Sequence, residues 1–204
     1  MILSILTPSV PSRLEQLNAL RAMLASQIGD QLAVEHLILI DNKRRTVGEK
    51  RDNLLRIALG RYVAFVDDDD FVSEDYINEI VARTWSNADV ITFRQLATVN
   101  GQTAEIQFRL GNENQSFQPG MLVKRNAWHI CAWRRELALT SHFPAWNYGE
   151  DWEFAAPLCR IAKTEEHIPK VLHYYRHDAK TTEAPYPGTS FPAADHGWTV
   201  PARR

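Results

Sequence analysis

Four consecutive carboxylates, Asp67 to Asp70, directly follow an apolar segment, Tyr62–Val66, whose composition predicts a buried strand. Carboxylates about 4 Å apart repel each other by about 1 kcal/mol per pair in water and by about 4 kcal/mol at the effective dielectric of a protein surface. A divalent cation with oxygen ligands, Mg²⁺ or Mn²⁺, would relieve this repulsion. The alternative is a solvated acidic turn that favours the amino terminus of the next helix. The residues alone leave both interpretations open.

A second acidic pair, Glu150 and Asp151, lies at the start of a predicted helix. Two adjacent acids there could simply complement the helix dipole. Alternatively, one of them could act as a general base that takes a proton from a hydroxyl group. Partial burial beside Trp146 and Trp152 would suit that role, because burial raises the pKa of a carboxyl group.

Cationic side chains and histidines supply the remaining candidates. Lys50 and Arg51 open a helix after the second predicted strand, where they could hold a diphosphate or a base, or could form a solvated basic face. His173 and His177 flank Arg176 at the end of a late predicted strand. The chain contains no GxxxxGK[ST] motif, which excludes a P-loop, and no GxGxxG motif that would support a dinucleotide-binding fold.

The elements that would position these residues alternate between strand and helix. Apolar runs predict strands, and capping pairs predict helix starts at Ser12 with Glu15, at Thr46 with Glu49, and at Ser73. This alternation predicts an α/β fold with a Rossmann-like, mostly parallel central sheet flanked by helices. The first three predicted strands are Ile2–Leu6, Val34–Ile40 and Tyr62–Val66.

Ligands of such sheets bind beyond the carboxyl ends of the strands. Asp41 ends the second predicted strand and Asp67 ends the third, so both are expected at the same edge.

The second half of the chain has weaker patterns and is expected to form an irregular acceptor half. Helices are predicted at Trp128–Leu139 and at Asp151–Ile161, the latter interrupted by Pro157. A loose tail is expected from Asp178 onward. The predicted strands of this half are Val90–Phe93, Ala104–Phe108, Met121–Val123 and Val171–Tyr175.

Composition excludes several classes of protein. A length of 204 residues fits one domain, and a net charge of -2 offers no general electrostatic attraction to nucleic acid or membrane. The two cysteines lack zinc-type spacing and suggest a reduced, intracellular protein. The amino terminus lacks a basic segment and no apolar stretch could cross a bilayer, so we expect neither a signal peptide nor a transmembrane helix, and a cytoplasmic location.

The ordered set of motifs resembles the family-2-type glycosyltransferases of the GT-A fold. The segment "GEKRDNLLRIALGRYVAFVDDDDFVSEDYI" (Gly48–Ile77) is similar to the family's run of Arg-Asn, helix, Gly-x-Tyr, strand and Asp-x-Asp-Asp. "NYGEDWEF" (Asn147–Phe154) resembles its Glu-Asp motif, and "HYYRHDAKTT" (His173–Thr182) resembles its late Tyr-Arg-x-His stretch.

The resemblance implies one GT-A domain over residues 1–182, with a nucleotide-sugar-binding half at 1–95, an acceptor and catalytic-base half at 96–182, and a loose tail at 183–204. It implies an inverting, metal-dependent transfer from a nucleotide-diphosphate sugar, usually a UDP-sugar, to an acceptor hydroxyl, with Mn²⁺ or Mg²⁺ as cofactor. The catalytic residues would be Asp151 as base and Glu150 beside it. The metal ligands would be Asp69, Asp67 and His177, and the donor-binding residues Thr7, Pro8, Asp41, Lys50, Arg51, Asp67, Asp68 and Arg176.

Departures from the family pattern leave some assignments open. Asn42 replaces a common second Asp, Lys43 and Arg44 replace a Gly-Ser pair, and Lys180 stands near a family serine. A nucleotidyltransferase and a non-catalytic nucleotide-sugar-binding module are the rival functions.

The acceptor is not identified; the candidates are a glycan, a small molecule, and DNA with hydroxymethylated pyrimidines. A local basic stretch with interleaved tryptophans could meet a phosphate-bearing acceptor such as that DNA, or could form an amphipathic wall of the acceptor cleft. The residues of that stretch are Lys124, Arg125, Trp128, Trp133, Arg134 and Arg135.

Overall fold

The computed structural model of the chain describes residues 1–29 and 33–177. Its first half alternates strands and helices as the apolar runs predict. The elements in chain order are β1 (Leu3–Ser9), α1 (Leu14–Ile28), β2 (Val34–Ile40), α2 (Val47–Ile57), β3 (Tyr62–Phe65), β4 (Phe71–Val72) and α3 (Tyr76–Arg83).

The second half contains more strand than helix. Its elements are β5 (Val90–Val99), β6 (Gln102–Phe108), β7 (Leu122–Arg125), β8 (Ala132–Arg134), α4 (Arg135–Ala138), α5 (Glu150–Ile161) and β9 (Glu165–His177). The predicted tail from Asp178 onward lies outside the described residues.

One sheet of nine strands runs through the described part of the chain, in the order β2-β1-β3-β8-β5-β6-β7, with β9 paired to β5 and to β4. β1 pairs in parallel with both β2 and β3, so their carboxyl ends meet at one edge. The antiparallel strand β8 then joins β3 to β5. The α/β fold with a central, mostly parallel sheet flanked by helices is therefore confirmed.

The core explains why the first three strands were recognisable. Leu3, Ile5 and Leu6 of β1 are fully buried, as is Tyr62 of β3. A parallel strand covered on both faces is apolar throughout rather than alternating. On the helix side, Leu17, Leu20 and Leu24 bury the face of α1 that the helical spacing predicts.

Several local predictions were wrong. Ser12 and Glu15 form no capping box, because Pro11–Arg13 is a 3₁₀ turn and α1 starts after Arg13 without a side-chain cap. Ser73 does not cap α3; its hydroxyl donates to Asp75 instead.

The predicted helix at Trp128–Leu139 is mostly a loop and a strand. Trp133 is fully buried in the centre of β8, between β3 and β5, and only Arg135–Ala138 is helical. Tertiary pairing has overridden the local helical preference of this segment.

The last strand is longer than predicted, because Pro169 concealed its first part. Pairing of β9 with β5 jumps from Thr92–His167 to Arg94–Val171, which leaves an irregular stretch around the proline. Pro157 lies inside α5 and neither interrupts the helix nor shifts its start, because the helix runs from Glu150 through Pro157 to Ile161.

Within the described ranges, none of the helices combines the length and the apolar character needed to cross a bilayer. The cytoplasmic location stays a prediction.

Candidate active site

The carboxyl ends of β1 and β2 converge on one lysine. Asp41 follows β2, and its carboxylate lies 3.3 Å from the Nζ atom of Lys50, which also donates to the Ser9 carbonyl at 3.0 Å. Burial alone would raise the pKa of Asp41, but the Arg45 amide and the Lys50 ammonium hold that pKa below its usual value. Asp41 is thus an ionised acceptor at the predicted edge of the sheet.

The start of α2 directs its cations inward. The predicted capping box is present: Thr46 accepts from the Glu49 amide, and the Glu49 side chain accepts from the Thr46 amide. This cap defines the first turn of the helix, and Lys50 and Arg51 lie on its buried side. The alternative of a solvated basic face therefore does not hold for these two residues.

Arg51 joins the two acidic motifs. Its Nη2 atom donates to both oxygens of Asp67, at 2.7 and 2.6 Å, and its Nη1 atom donates to Glu150. Burial opposes ionisation of Asp67, yet the guanidinium keeps the pKa of that carboxyl below its usual value. Glu150 pairs with the same guanidinium, and its side chain is more deeply buried than that of Asp67. Burial raises the pKa of Glu150 to about 7.

The other three aspartates have different surroundings. Asp68 is buried and accepts from Ser9 at 2.7 Å and from Arg13 at 2.9 Å. Asp69 is 38% exposed at its side chain and lies 3.1 Å from Arg13. Burial raises the pKa of Asp69 to about 6; Arg13 opposes this increase, and Asp67 and Asp68 add to it.

Asp70 is buried, as Asp68 is. Its Oδ2 atom lies 3.4 Å from the buried imidazole of His173, and its Oδ1 atom has no hydrogen-bond partner. Burial and the charges of Asp67 and Asp69 raise its pKa well above the usual value. Burial lowers the pKa of His173 to about 4, so the imidazole is neutral. Asp67 to Asp70 are therefore a largely buried group of carboxyl groups, and not a solvated turn.

Asp151 lies at the first turn of α5, partly exposed and held by three groups. The Trp128 indole N–H donates to its Oδ2 atom at 3.2 Å, and the Trp152 amide donates to its Oδ1 atom at 2.8 Å. The Nδ1 atom of His129 lies 3.7 Å from Oδ2, and burial keeps that imidazole neutral by lowering its pKa. Burial raises the pKa of Asp151, while Arg51 limits the increase.

The remaining predicted residues lie on β1 and near the end of β9. Thr7 is buried, and its hydroxyl donates to the Val66 carbonyl and contacts His36. Pro8 is buried in β1. Arg176 is exposed near the end of β9, and His177 stacks on Tyr175.

The described part of the chain contains no group of three or more His, Cys, Asp or Glu side chains arranged to hold a metal ion. Asp67, Asp69 and His177 therefore do not form a ready three-ligand site. A metal bound here would take one or two carboxylates and complete its coordination with phosphate oxygens and water, as Mg²⁺ commonly does.

Sequence reasoning missed Ser9, Arg13 and His129, and it named Trp128 only as part of the basic stretch, not as a partner of Asp151. Ser9 ends β1 at the same edge as Asp41 and Asp67, so strand-end position could have identified it. Arg13, Trp128 and His129 reach the acids from a turn and a loop, for which the sequence offers no periodic signal.

A loop from the second half rests on the start of α2. The Gly48 amide donates to the Trp146 carbonyl at 2.9 Å, and the Val47 amide donates to the Asn147 side chain at 2.9 Å. A Cβ atom at Gly48 would lie 1.8 Å from the Pro144 carbonyl oxygen. Only glycine permits this approach, which brings the loop before α5 onto the helix that carries Arg51.

The basic stretch considered for DNA does not form one surface. Trp133 and Arg125 are buried, and Arg134 pairs with Asp89. Lys124 is exposed, whereas Trp128 is turned toward Asp151. The residues on which a DNA acceptor was expected are therefore not available together.

Comparison with known proteins agrees with the fold and the motifs. The sequence model of the family "Glycosyl transferase family 2" matches residues 25–139, more than half of the chain. No curated protein sequence matches the chain.

Solved structures with the same fold include S. aureus TarS 1-349 in complex with UDP-GlcNAc, with a TM-score of 0.68 at 16% identity, covering 94% of this chain and 62% of that one. A second structure of S. aureus TarS 1-349 has a TM-score of 0.65 at 18% identity, and the match covers 86% of this chain and 60% of that one. The mannosyltransferase PcManGT from Pyrobaculum calidifontis, in complex with GDP-Man and Mn²⁺, has a TM-score of 0.55 at 14% identity. The match covers 84% of this chain and 56% of PcManGT. The chain thus spans less than two thirds of these neighbours.

A family match of this length, on a GT-A-like fold with acids at the expected strand ends, defines the class of the protein. The chain belongs to glycosyl transferase family 2.

Proposed function

We propose that the chain transfers a sugar, with inversion, from a nucleotide-diphosphate donor to an acceptor hydroxyl, in a single displacement that requires Mn²⁺ or Mg²⁺. The observation that carries the proposal is the Arg51 bridge. One buried guanidinium contacts Asp67 at the end of β3 and Glu150 at the start of α5, which places Asp151 beside the acidic edge of the sheet. This arrangement supports a donor site with a general base next to it.

The donor side would use the edge formed by β1, β2 and β3. Asp41, held ionised by Lys50, would accept hydrogen bonds from the nucleotide base, and Asp67 would face the ribose and the sugar. Arg51 orients Asp67 and adds positive charge near the diphosphate. The UDP-GlcNAc bound by TarS and the GDP-Man bound by PcManGT support a nucleotide sugar as donor. A UDP-sugar is the preferred candidate.

The acidic run suits a divalent cation. Asp70 has a buried oxygen without a hydrogen-bond partner, and Asp69 is a partly exposed carboxylate whose pKa is raised by burial and by its acidic neighbours. Asp69 would hold the ion, with Asp67 and His177 as further candidates. Charge on the leaving diphosphate would be neutralised by the bound cation.

Substitution of Asp69 by Asn should weaken donor binding at least about tenfold in the presence of Mn²⁺, because the ligand loses its charge. Calorimetric titration with a UDP-sugar, with and without Mn²⁺, measures this effect. The metal should strengthen donor binding to the unsubstituted chain and should have little effect on Asp69→Asn. Asp75→Asn, which alters an exposed carboxylate paired with Lys170, is the control. Equal enhancement by Mn²⁺ in both variants would contradict the assignment of Asp69.

Asp151 would take the proton of the acceptor hydroxyl, and it must be ionised to do so. The rate should therefore fall as pH decreases through the raised pKa of Asp151. Arg51 and Trp128 favour the ionised form, whereas burial and Asp67 oppose it. Glu150, next along the helix, would position Arg51 and the sugar.

Trp128→Phe should move the acid limb of the rate profile to higher pH, because loss of the indole N–H removes a hydrogen bond that stabilises ionised Asp151. At a pH on the acid limb the rate should fall about tenfold, because loss of one hydrogen bond to a charged group leaves about a tenth as much of Asp151 ionised. The rate is measured as a function of pH for Trp128→Phe and for the control Trp85→Phe, which alters a tryptophan that is 79% exposed. An acid limb at the same pH in Trp128→Phe as in the unsubstituted chain would show that Trp128 does not affect the pKa of Asp151.

A panel of UDP- and GDP-sugars, each with Mn²⁺ or Mg²⁺, tests the proposed function directly. Metal-dependent release of a nucleoside diphosphate is the expected result. Release of pyrophosphate would indicate a nucleotidyltransferase. Donor binding without turnover, together with tolerance of substitutions at Asp151, would indicate a non-catalytic binding module.

A further inference from the structure

Aromatic side chains surround the proposed base. The rings of Trp128 and Trp152 lie 5.6 Å apart and are tilted by 48°, and both are partly exposed. Trp128 donates to Asp151, and Trp152 is the next residue along α5. Tyr148, 45% exposed, precedes Glu150 by two positions in the segment that leads into α5. This aromatic surface, formed by Trp128, Tyr148 and Trp152, adjoins the one carboxylate that would meet an acceptor.

The charges next to this surface restrict what could lie on it. Asp151 and Asp67 contribute negative charge, and Arg51 is already paired with Asp67 and Glu150. Arg125, the other cation whose pKa responds to Asp151, is buried. An acceptor carrying phosphate would therefore meet like charge beside Asp151, whereas an uncharged molecule would not.

Two requirements then apply to the acceptor. It must present a hydroxyl to Asp151, and it must cover partly exposed aromatic rings. A sugar ring meets both, because its hydroxyls project outward from the ring while its C–H bonds form apolar faces that pack on an aromatic face. Tryptophan and tyrosine combine an apolar body with a polar tip and suit such a ligand.

We propose that Trp128, Tyr148 and Trp152 form an acceptor subsite for an uncharged sugar ring, which places one of its hydroxyls on Asp151. This inference rests on the proposed function and specifies its acceptor. Trp152 is the ring best suited to a test, because the Trp128 indole is the one that donates to Asp151.

The test compares acceptors and variants in the same assay. The donor is the nucleotide sugar that the chain hydrolyses, and the probes are methyl glycosides of neutral hexoses and the corresponding hexose 6-phosphates. Neutral glycosides should accelerate release of the nucleoside diphosphate, and the phosphates should be at least about tenfold poorer in kcat/KM. Trp152→Ala should raise the acceptor KM about tenfold, while Trp152→Phe, which keeps a ring, should stay within about threefold.

Trp85→Ala is the matched control, since it removes an exposed tryptophan on the 3₁₀ turn Thr84–Ser86 and should leave the acceptor KM unchanged. Thermal unfolding shows whether each variant is folded. An unchanged acceptor KM in folded Trp152→Ala, or a preference for the phosphorylated acceptors, would overturn the inference. If donor is hydrolysed but no neutral glycoside accelerates release, this inference alone fails. If no nucleotide sugar is hydrolysed or transferred, the proposed function fails.

Discussion

Replacement of Asp151 by Asn should reduce kcat by about 10²–10⁴-fold, the usual contribution of a positioned general base. The amide keeps the size of the side chain, and its one oxygen can still accept from either the Trp128 indole or the Trp152 amide, although not from both, because these donors bind different oxygens of Asp151. It cannot take a proton from the acceptor. Donor affinity, set at the edge of β1 to β3, should stay unchanged. Steady-state kinetics and calorimetric titration of the donor separate these two effects.

Glu153→Gln is the matched control for Asp151→Asn, because Glu153 is an exposed acid on the same turn of α5. It should leave kcat within about twofold. If Asp151→Asn retains full kcat, Asp151 is not the base, and Glu150→Gln becomes the next variant to measure. A parallel loss of donor affinity in Asp151→Asn would instead indicate a role in binding.

Substitution of Arg51 by Met should lower the free energy of unfolding by about 3–5 kcal/mol, the usual cost of leaving a buried charge without its partner. Glu150 is buried and Asp67 is part-buried, and both depend on the one guanidinium. Methionine fills much of the same volume, so lost charge rather than a cavity would dominate the effect. Urea unfolding monitored by circular dichroism gives the free energy.

The same helix supplies the control for Arg51→Met. Arg56 forms an exposed pair with Asp52, and Arg56→Met should change the free energy of unfolding by no more than about 0.5 kcal/mol. The double variant Arg51→Met/Glu150→Gln should recover part of the loss, because one uncompensated charge is removed. An unfolding free energy for Arg51→Met within about 1 kcal/mol of the unsubstituted value would show that solvent, not Arg51, compensates these acids.

The sequence was sufficient for the parts of the fold that depend on local pattern. β2 begins and ends where its apolar run does, and the Thr46–Glu49 capping box was recognisable from two residues. Strand β8 was not recognisable, because its three residues carry no periodicity and are held by pairing with β3 and β5. Its location between those strands depends on contacts with residues far away in the chain.

For the candidate site, the sequence identified the acids but not their partners. Arg51 was a candidate for binding a diphosphate or a nucleotide base. Nothing in the local sequence indicates that it donates both to Asp67 and to Glu150, which lies 99 positions after Arg51. The same limit applies to Arg13 on Asp68 and to Trp128 on Asp151. The roles of all these residues in catalysis and donor binding stay predictions until the variants are measured.

The absence of a side chain at Gly48 has a consequence for engineering. Residues 144–147 rest on α2 through that glycine, and Tyr148 of the proposed acceptor subsite follows directly. A loop transplanted from another enzyme to change the acceptor must therefore reproduce the close backbone approach at position 48, or it will leave the Val47 and Gly48 amides of the helix that carries Arg51 without their acceptors. Acceptor preference and the integrity of the donor site would then change together, so libraries at 144–148 should be screened for both.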